Sequence, residues 1–120
     1  MIIRTDAVVV TCIDYRLQPL LDEWIKTQLG YGNYNRVAFG GSVKNWDTVF
    51  SQIEMSRRVH SVNRVILINH QDCRAYGAED SYERHLHDLR QARDSVLERI
   101  PDVAVELYYL WLDGRFERVD

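Results

Sequence analysis

Two short runs, Val8-Val9-Val10 and Val65-Ile66-Leu67-Ile68, constrain this chain more than any other feature in it. Each is an unbroken stretch of β-branched and aliphatic residues bounded by polar ones. Runs of that kind suit strands covered on both faces, the situation of a parallel sheet with helices on each side. Between and after them, apolar residues recur at helical spacing. Leu20, Leu21, Trp24, Ile25 and Leu29 make one such face. Trp46, Phe50 and Ile53, with Val43 and Val49 beside them, make a second, and Tyr82, Leu86, Leu89, Ala92 and Val96 a third. Strand and helix therefore alternate, and the economical architecture is an α/β fold with right-handed crossovers.

The boundaries follow from local chemistry. The first strand is expected over 6–12 and the first helix from Pro19, a residue tolerated in a first helical turn, to a stop at Gly30. A second strand runs over 34–39. Gly40-Gly41 then makes a tight turn that could present backbone N–H groups to an anion, with Ser42 as the expected N-cap of the second helix. The third strand covers 64–69. Asp80 and Glu83 resemble a capping box for a long charged helix that ends before Pro101. A fourth strand is expected over 103–112, and Asp113-Gly114 signals a hairpin into a short strand over 115–119.

The chemistry sits where the two apolar runs end. Thr11-Cys12-Ile13-Asp14-Tyr15-Arg16 follows the first, and Asn69-His70-Gln71-Asp72-Cys73 follows the second. Sites in open α/β sheets form beyond the carboxyl ends of strands. If these two strands are neighbours, Cys12, His70 and Cys73 arrive at one rim. Two thiolates and one imidazole are a zinc ligand set with one position open, the catalytic rather than the structural pattern. The competing reading of two cysteines is a disulfide. The N-terminal residues lack the apolar stretch of a secretory signal, so the reducing cytoplasm is the expected location and favours metal.

Bulk properties narrow the function further. A chain of 120 residues with 46% hydrophobic and 28% charged content is expected to be one globular domain over 1–120. Its net charge of −3 argues against a nucleic-acid partner, which would want a basic face. No apolar run approaches the roughly 20 residues of a membrane span.

The two rim segments resemble the zinc motifs of the β-class carbonic anhydrases. C-x-D-x-R stands at Cys12, Asp14 and Arg16, and H-x-x-C at His70 and Cys73. The resemblance extends over about 7–77. It implies a mostly parallel sheet of four strands in the order 2-1-3-4, a short antiparallel edge strand, and helices on both faces. It further implies reversible hydration of carbon dioxide to bicarbonate by zinc-bound hydroxide, with Zn2+ as cofactor. Asp14 would accept a hydrogen bond from the zinc-bound water or become the fourth ligand, and Arg16 would hold it back. A homodimer or larger homo-oligomer is implied as well, in keeping with the apolar content that Trp24, Trp46 and Trp111 bring to so small a domain.

The chain departs from the family pattern at two places. Val37-Ala38-Phe39-Gly40 stands where an Arg-Asn-Ala-Gly stretch is usual, and Arg74 replaces the glycine after the second cysteine. Two further readings therefore accompany the first: action on carbon disulfide or carbonyl sulfide, and a zinc-binding module without turnover. Gly40, Gly41 and Tyr15 are the expected pocket residues, with Tyr76 flanking them. Asp72 is expected to face solvent or an arginine. His60, His85 and His87 have no partner at ligand spacing and read as surface histidines.

Overall fold

The apolar runs form the centre of a twisted sheet in the computed structural model, which describes residues 3–120. Among the described residues there are five strands: β1 (Ala7–Thr11), β2 (Tyr34–Ala38), β3 (Arg64–His70), β4 (Ala104–Leu110) and β5 (Phe116–Val119). Their order is β2-β1-β3-β4-β5, the first four parallel and β5 antiparallel to β4. This is the arrangement the family resemblance implies.

Ala7, Val8, Val9 and Val10 are all fully buried, as a central strand with helices on both faces requires. α1 (Gln18–Leu29) covers one face, where Leu21, Ile25 and Leu29 pack with Ala7, Val9, Ile66 and Ile68. α2 (Trp46–His60) and α3 (Tyr82–Arg99) cover the other, where Phe50, Ile53, Leu89 and Val96 pack with Val8, Val10, Val65 and Leu67. Burying side chains of this size stabilises by about 1.5–3 kcal/mol each, so the sheet interior is the main source of stability. β5 is pinned from the α1 side, where Trp24 stacks on Phe116 at 4.6 Å and meets Tyr108 edge-on at 4.7 Å. No helix among the described residues is long and apolar enough to cross a membrane.

Local expectations need three corrections, each with a physical reason. Ser42 does not cap α2. It lies in a 3₁₀ turn over Ser42–Lys44 with φ +53, and α2 starts at Trp46 after Asn45. The glycine turn has to fold back first, with the Ser42 N–H donating to the Phe39 carbonyl at 2.8 Å. The cap of α3 is Ser81, whose Oγ accepts the Arg84 N–H at 3.1 Å; Asp80 is occupied elsewhere. β4 stops at Leu110 because Trp111 already belongs to the hairpin, exchanging backbone bonds with Arg115 and Gly114.

Candidate metal centre

β1 and β3 are adjacent, in register from Ala7 opposite Arg64 to Val10 opposite Leu67. β2 lies on the far side of β1 and β4 on the far side of β3. Cys12 and His70 therefore leave the sheet at the point where strand order reverses, the crevice in which open α/β sheets place their sites. Cys73 joins them from the loop after β3. One ligand-type atom from each of Cys12, His70 and Cys73 lies within 4.8 Å of the other two, and all three residues are buried.

The donor chemistry of this cluster fits a metal. His70 Nδ1 lies 2.7 Å from the Gln71 carbonyl. A carbonyl only accepts, so Nδ1 carries the proton and Nε2 is left as a bare lone pair. That Nε2 is buried without a hydrogen-bond partner. A buried acceptor left unpaired is costly, and a metal coordinated by Nε2 removes the cost. The two sulfurs beside it are free cysteines and complete an N, S, S donor set.

The sulfurs themselves are unequal. The neighbouring Cys73 thiol, with help from the Gly41 N–H, outweighs burial and holds the Cys12 thiol well below its ordinary range. The Gly41 N–H lies 3.3 Å from Cys12 Sγ. Cys73 moves the opposite way, because its proton is held by Cys12 and because it is buried. One thiolate and one thiol is the stable state of the pair, since two bare thiolates cannot both be accommodated so close together.

The Asp14 carboxylate is clamped from two sides of one arginine. Arg16 Nη2 donates to Oδ2 at 2.6 Å, Nε to Oδ1 at 3.1 Å, and the Arg16 backbone N–H to Oδ1 at 2.9 Å. The guanidinium holds the Asp14 carboxyl down to about pKa 2, so it is ionised at neutral pH. The same guanidinium reaches across to the second motif, with Nη1 on Asp72 Oδ2 at 3.0 Å and Nη2 on the Asp72 carbonyl at 2.9 Å. Asp72 thus faces an arginine, as expected. Sequence reasoning missed Gln18, whose amide donates to the carbonyls of Asp14 at 2.9 Å and Cys12 at 3.3 Å. It holds the motif loop from the start of α1, and no spacing rule signals it.

A cleft of about 600 Å³ opens beside the cluster, lined by Cys12, Ile13, Asp14, Tyr15, Arg16, Gly40, Arg74 and Ala75. Tyr15 and Gly40 are on its wall. Gly41 is not among the lining residues; it stands behind the Cys12 sulfur, at φ +84, where an added Cβ would come within 3.0 Å of Lys44. Arg74 projects into solvent with only a 3.5 Å contact to Asp72. Tyr76 is not a cleft residue: it is buried, with its hydroxyl between Asn69 and Asp88. His87 is exposed as expected, and His60 is half-buried with Nδ1 at 2.8 Å from the Asn35 amide. His85 departs entirely from the surface reading. It is 0% exposed and lies among Asn69, Asp80 and Tyr76.

Comparison with known proteins agrees with this architecture. The profile of a family described as "Putative carbonic anhydrase" matches residues 3–120. An uncharacterized protein of Rickettsia conorii is 26% identical over 136 residues, covering 97% of this chain and 73% of that protein. Among solved structures, carbonic anhydrase from Streptococcus mutans aligns with a TM-score of 0.70 at 16% identity, covering 99% of this chain and 84% of that one. The apo form of a carbon disulfide hydrolase also gives 0.70, at 11% identity over 99% of this chain and 81% of its own. At such identities the structural likeness shows the fold.

The unequal sulfurs make a prediction for metal-free protein. Ultraviolet thiolate absorbance at pH 7 should correspond to one ionised cysteine per chain. Cys12→Ser should abolish it, whereas Cys73→Ser, which keeps a hydroxyl donor toward Cys12, should retain it. Two thiolates, or none, would contradict the shared-proton description.

Proposed function

The chain belongs to the putative carbonic anhydrase family, and we propose that it hydrates carbon dioxide reversibly to bicarbonate using a zinc ion held by Cys12, His70 and Cys73. One observation carries this reading: a buried, unpartnered imidazole lone pair and two cysteine sulfurs converge beside a carboxylate that an arginine already restrains. A structural zinc takes four protein ligands and has no use for such a restraint. Bound at this cluster, zinc would supply the Lewis acidity that makes water a nucleophile near neutral pH.

The remaining work falls to the chain. Asp14 lines the cleft as an ionised carboxylate, which can only accept hydrogen bonds. A water bonded to Asp14 must therefore donate a hydrogen bond to the carboxylate oxygen, which leaves a lone pair free to turn toward the electrophile. Arg16 keeps Asp14 at this post; released, the carboxylate is an acceptable fourth zinc ligand and would block the reaction. Ile13, Gly40 and Ala75 give the cleft an apolar wall that suits a small linear electrophile without charge. Arg74, the loosely held cation at its edge, suits departure of an anionic product.

A second reading draws on the same wall. The end of β2 supplies no polar side chain to the cleft, because Val37 packs into the α2 side of the core and Ala38 carries only a methyl group. A site so apolar also suits carbon disulfide or carbonyl sulfide. Assembly is part of the proposal: Ile13 and Tyr15 line the cleft yet are 62% and 83% exposed, and a second copy of the chain in a homodimer or larger oligomer would cover them. The tryptophans, by contrast, pack on this chain's own aromatic rings.

Stopped-flow assays of the zinc-loaded protein decide between substrates. Carbon dioxide hydration is expected. Turnover of carbon disulfide alone would select the second reading, and inertness toward both would leave a zinc-binding module. Arg16→Ala should keep its fold and metal yet lose at least about 100-fold in rate, the scale on which positioned acid–base groups act. Asp14→Asn should lose a similar factor, because an uncharged amide, with a donor NH2 beside its oxygen, no longer fixes the orientation of the water. An Arg16→Ala protein as active as wild type would contradict the restraint. Light scattering at tens of micromolar should show a dimer or larger species; a monomer would contradict the assembly.

A further inference from the structure

Asn69 and His85 are deeply buried polar residues that the proposed reaction does not use. Groups so far from water persist only with their hydrogen bonds made. The Val43 N–H donates to Asn69 Oδ1 at 3.4 Å, which fixes the acceptor end of the amide. Asn69 Nδ2 then donates to the Tyr76 hydroxyl at 3.0 Å and meets His85 Nδ1 at 2.9 Å. His85 Nδ1 must accept, so the ring's proton is on Nε2, which lies 2.7 Å from Asp80 Oδ1. That same carboxylate oxygen accepts the Cys73 backbone N–H at 3.3 Å. The other end of the chain, Val43, stands two residues after Gly41, whose N–H donates to Cys12 Sγ. A line of hydrogen bonds thus runs from Val43, on the turn that carries Gly41, through one ring to the backbone of Cys73.

We propose that His85 is a positioning residue for the metal centre: its neutral imidazole ties the Cys73 loop, through Asp80, to the turn behind Cys12, through Asn69, and so fixes the spacing of the two sulfurs. The inference rests on reading Cys12, His70 and Cys73 as metal ligands. The position calls for histidine because the ring must accept at one edge and donate at the other. An aliphatic side chain does neither, and a charged ring would set a second donor against the Asn69 amide. Burial, which disfavours the charged ring and lowers the His85 pKa, acts in the same direction. The Tyr76 ring, 4.1 Å away between centroids, closes the site over it.

Titration of metal-free protein with cobalt(II), in competition with a chelator, tests this without any assay of turnover. Wild type should take up one cobalt per chain with a sulfur-to-cobalt charge-transfer band. His85→Leu and Asp80→Ala should bind about 10–100-fold more weakly, the usual cost of losing an outer partner of a metal ligand, with shifted d–d bands. His85→Gln, whose amide can still donate to Asp80, should recover much of the affinity and the band shape. Nitrogen NMR of wild type should place the His85 proton on Nε2. Should His85→Leu fail to fold, Asp80→Ala decides, since Asp80 lies near the surface. Unchanged cobalt binding in Asp80→Ala, a His85→Gln protein as weak as His85→Leu, or a proton on Nδ1 would each overturn the inference alone. A wild type that takes up no cobalt would overturn the ligand reading and this inference with it.

Discussion

The candidate site exists because β1 and β3 lie side by side while the chain between them goes elsewhere. After β1 the chain moves outward through α1 to β2, then returns through α2 to the opposite side of β1. Both crossovers are expected to be right-handed, and crossovers running in opposite directions place their helices on opposite faces. The core clusters show that separation, with α1 on one face and α2 and α3 on the other. Between the two departing loops a crevice is left at the carboxyl ends of the strands. Cys12, Asp14 and Arg16 enter it from one side, and His70, Asp72 and Cys73 from the other. The sheet order thus does what no single residue could, bringing ligands far apart in sequence within reach of one another.

Arg16 then couples the two loops. Its guanidinium pairs with two carboxylates at once, Asp14 in its own loop and Asp72 in the other. Asp72 adopts a φ of +56 to offer its carbonyl to the same arginine. Left-handed backbone costs an L-residue roughly 1–2 kcal/mol, less for Asp than for most, and charge-assisted bonds to Arg16 offset it. A lysine could hold one carboxylate but not this planar array of acceptors. The position of Asp14 therefore depends on the relative placement of both loops, and so on the sheet beneath them.

Much of this was legible in the sequence because short-range pattern and topology agree. The valine run of β1 and the Val-Ile-Leu-Ile run of β3 suit strands buried on both faces. The spacings C-x-D-x-R and H-x-x-C stand directly at their ends. What escaped notice depends on three-dimensional partners. Ser42 has the chemistry of a cap, but the backbone around Gly41 is committed to the Cys12 sulfur. Asp80 has it too, but His85 and Cys73 claim its carboxylate, and the cap falls to Ser81. His85 was the instructive miss. Its polar neighbours Arg84 and His87 suggest a solvated surface, yet it stands four and seven residues before Leu89 and Ala92, on the stripe that faces the core. Helical spacing was the better guide there than residue type.

Everything proposed for the rim depends on Cys12, His70 and Cys73 forming one metal centre. X-ray absorption on the zinc-loaded protein measures this directly. Two sulfur neighbours at about 2.3 Å and one imidazole nitrogen at about 2.0–2.1 Å, with a single light oxygen completing four-coordination, is the result the arrangement predicts. Conversion to one sulfur in either Cys12→Ser or Cys73→Ser would assign the ligands. Oxygen and nitrogen neighbours alone, or sulfur neighbours unaltered by both substitutions, would contradict a metal centre built on these three residues.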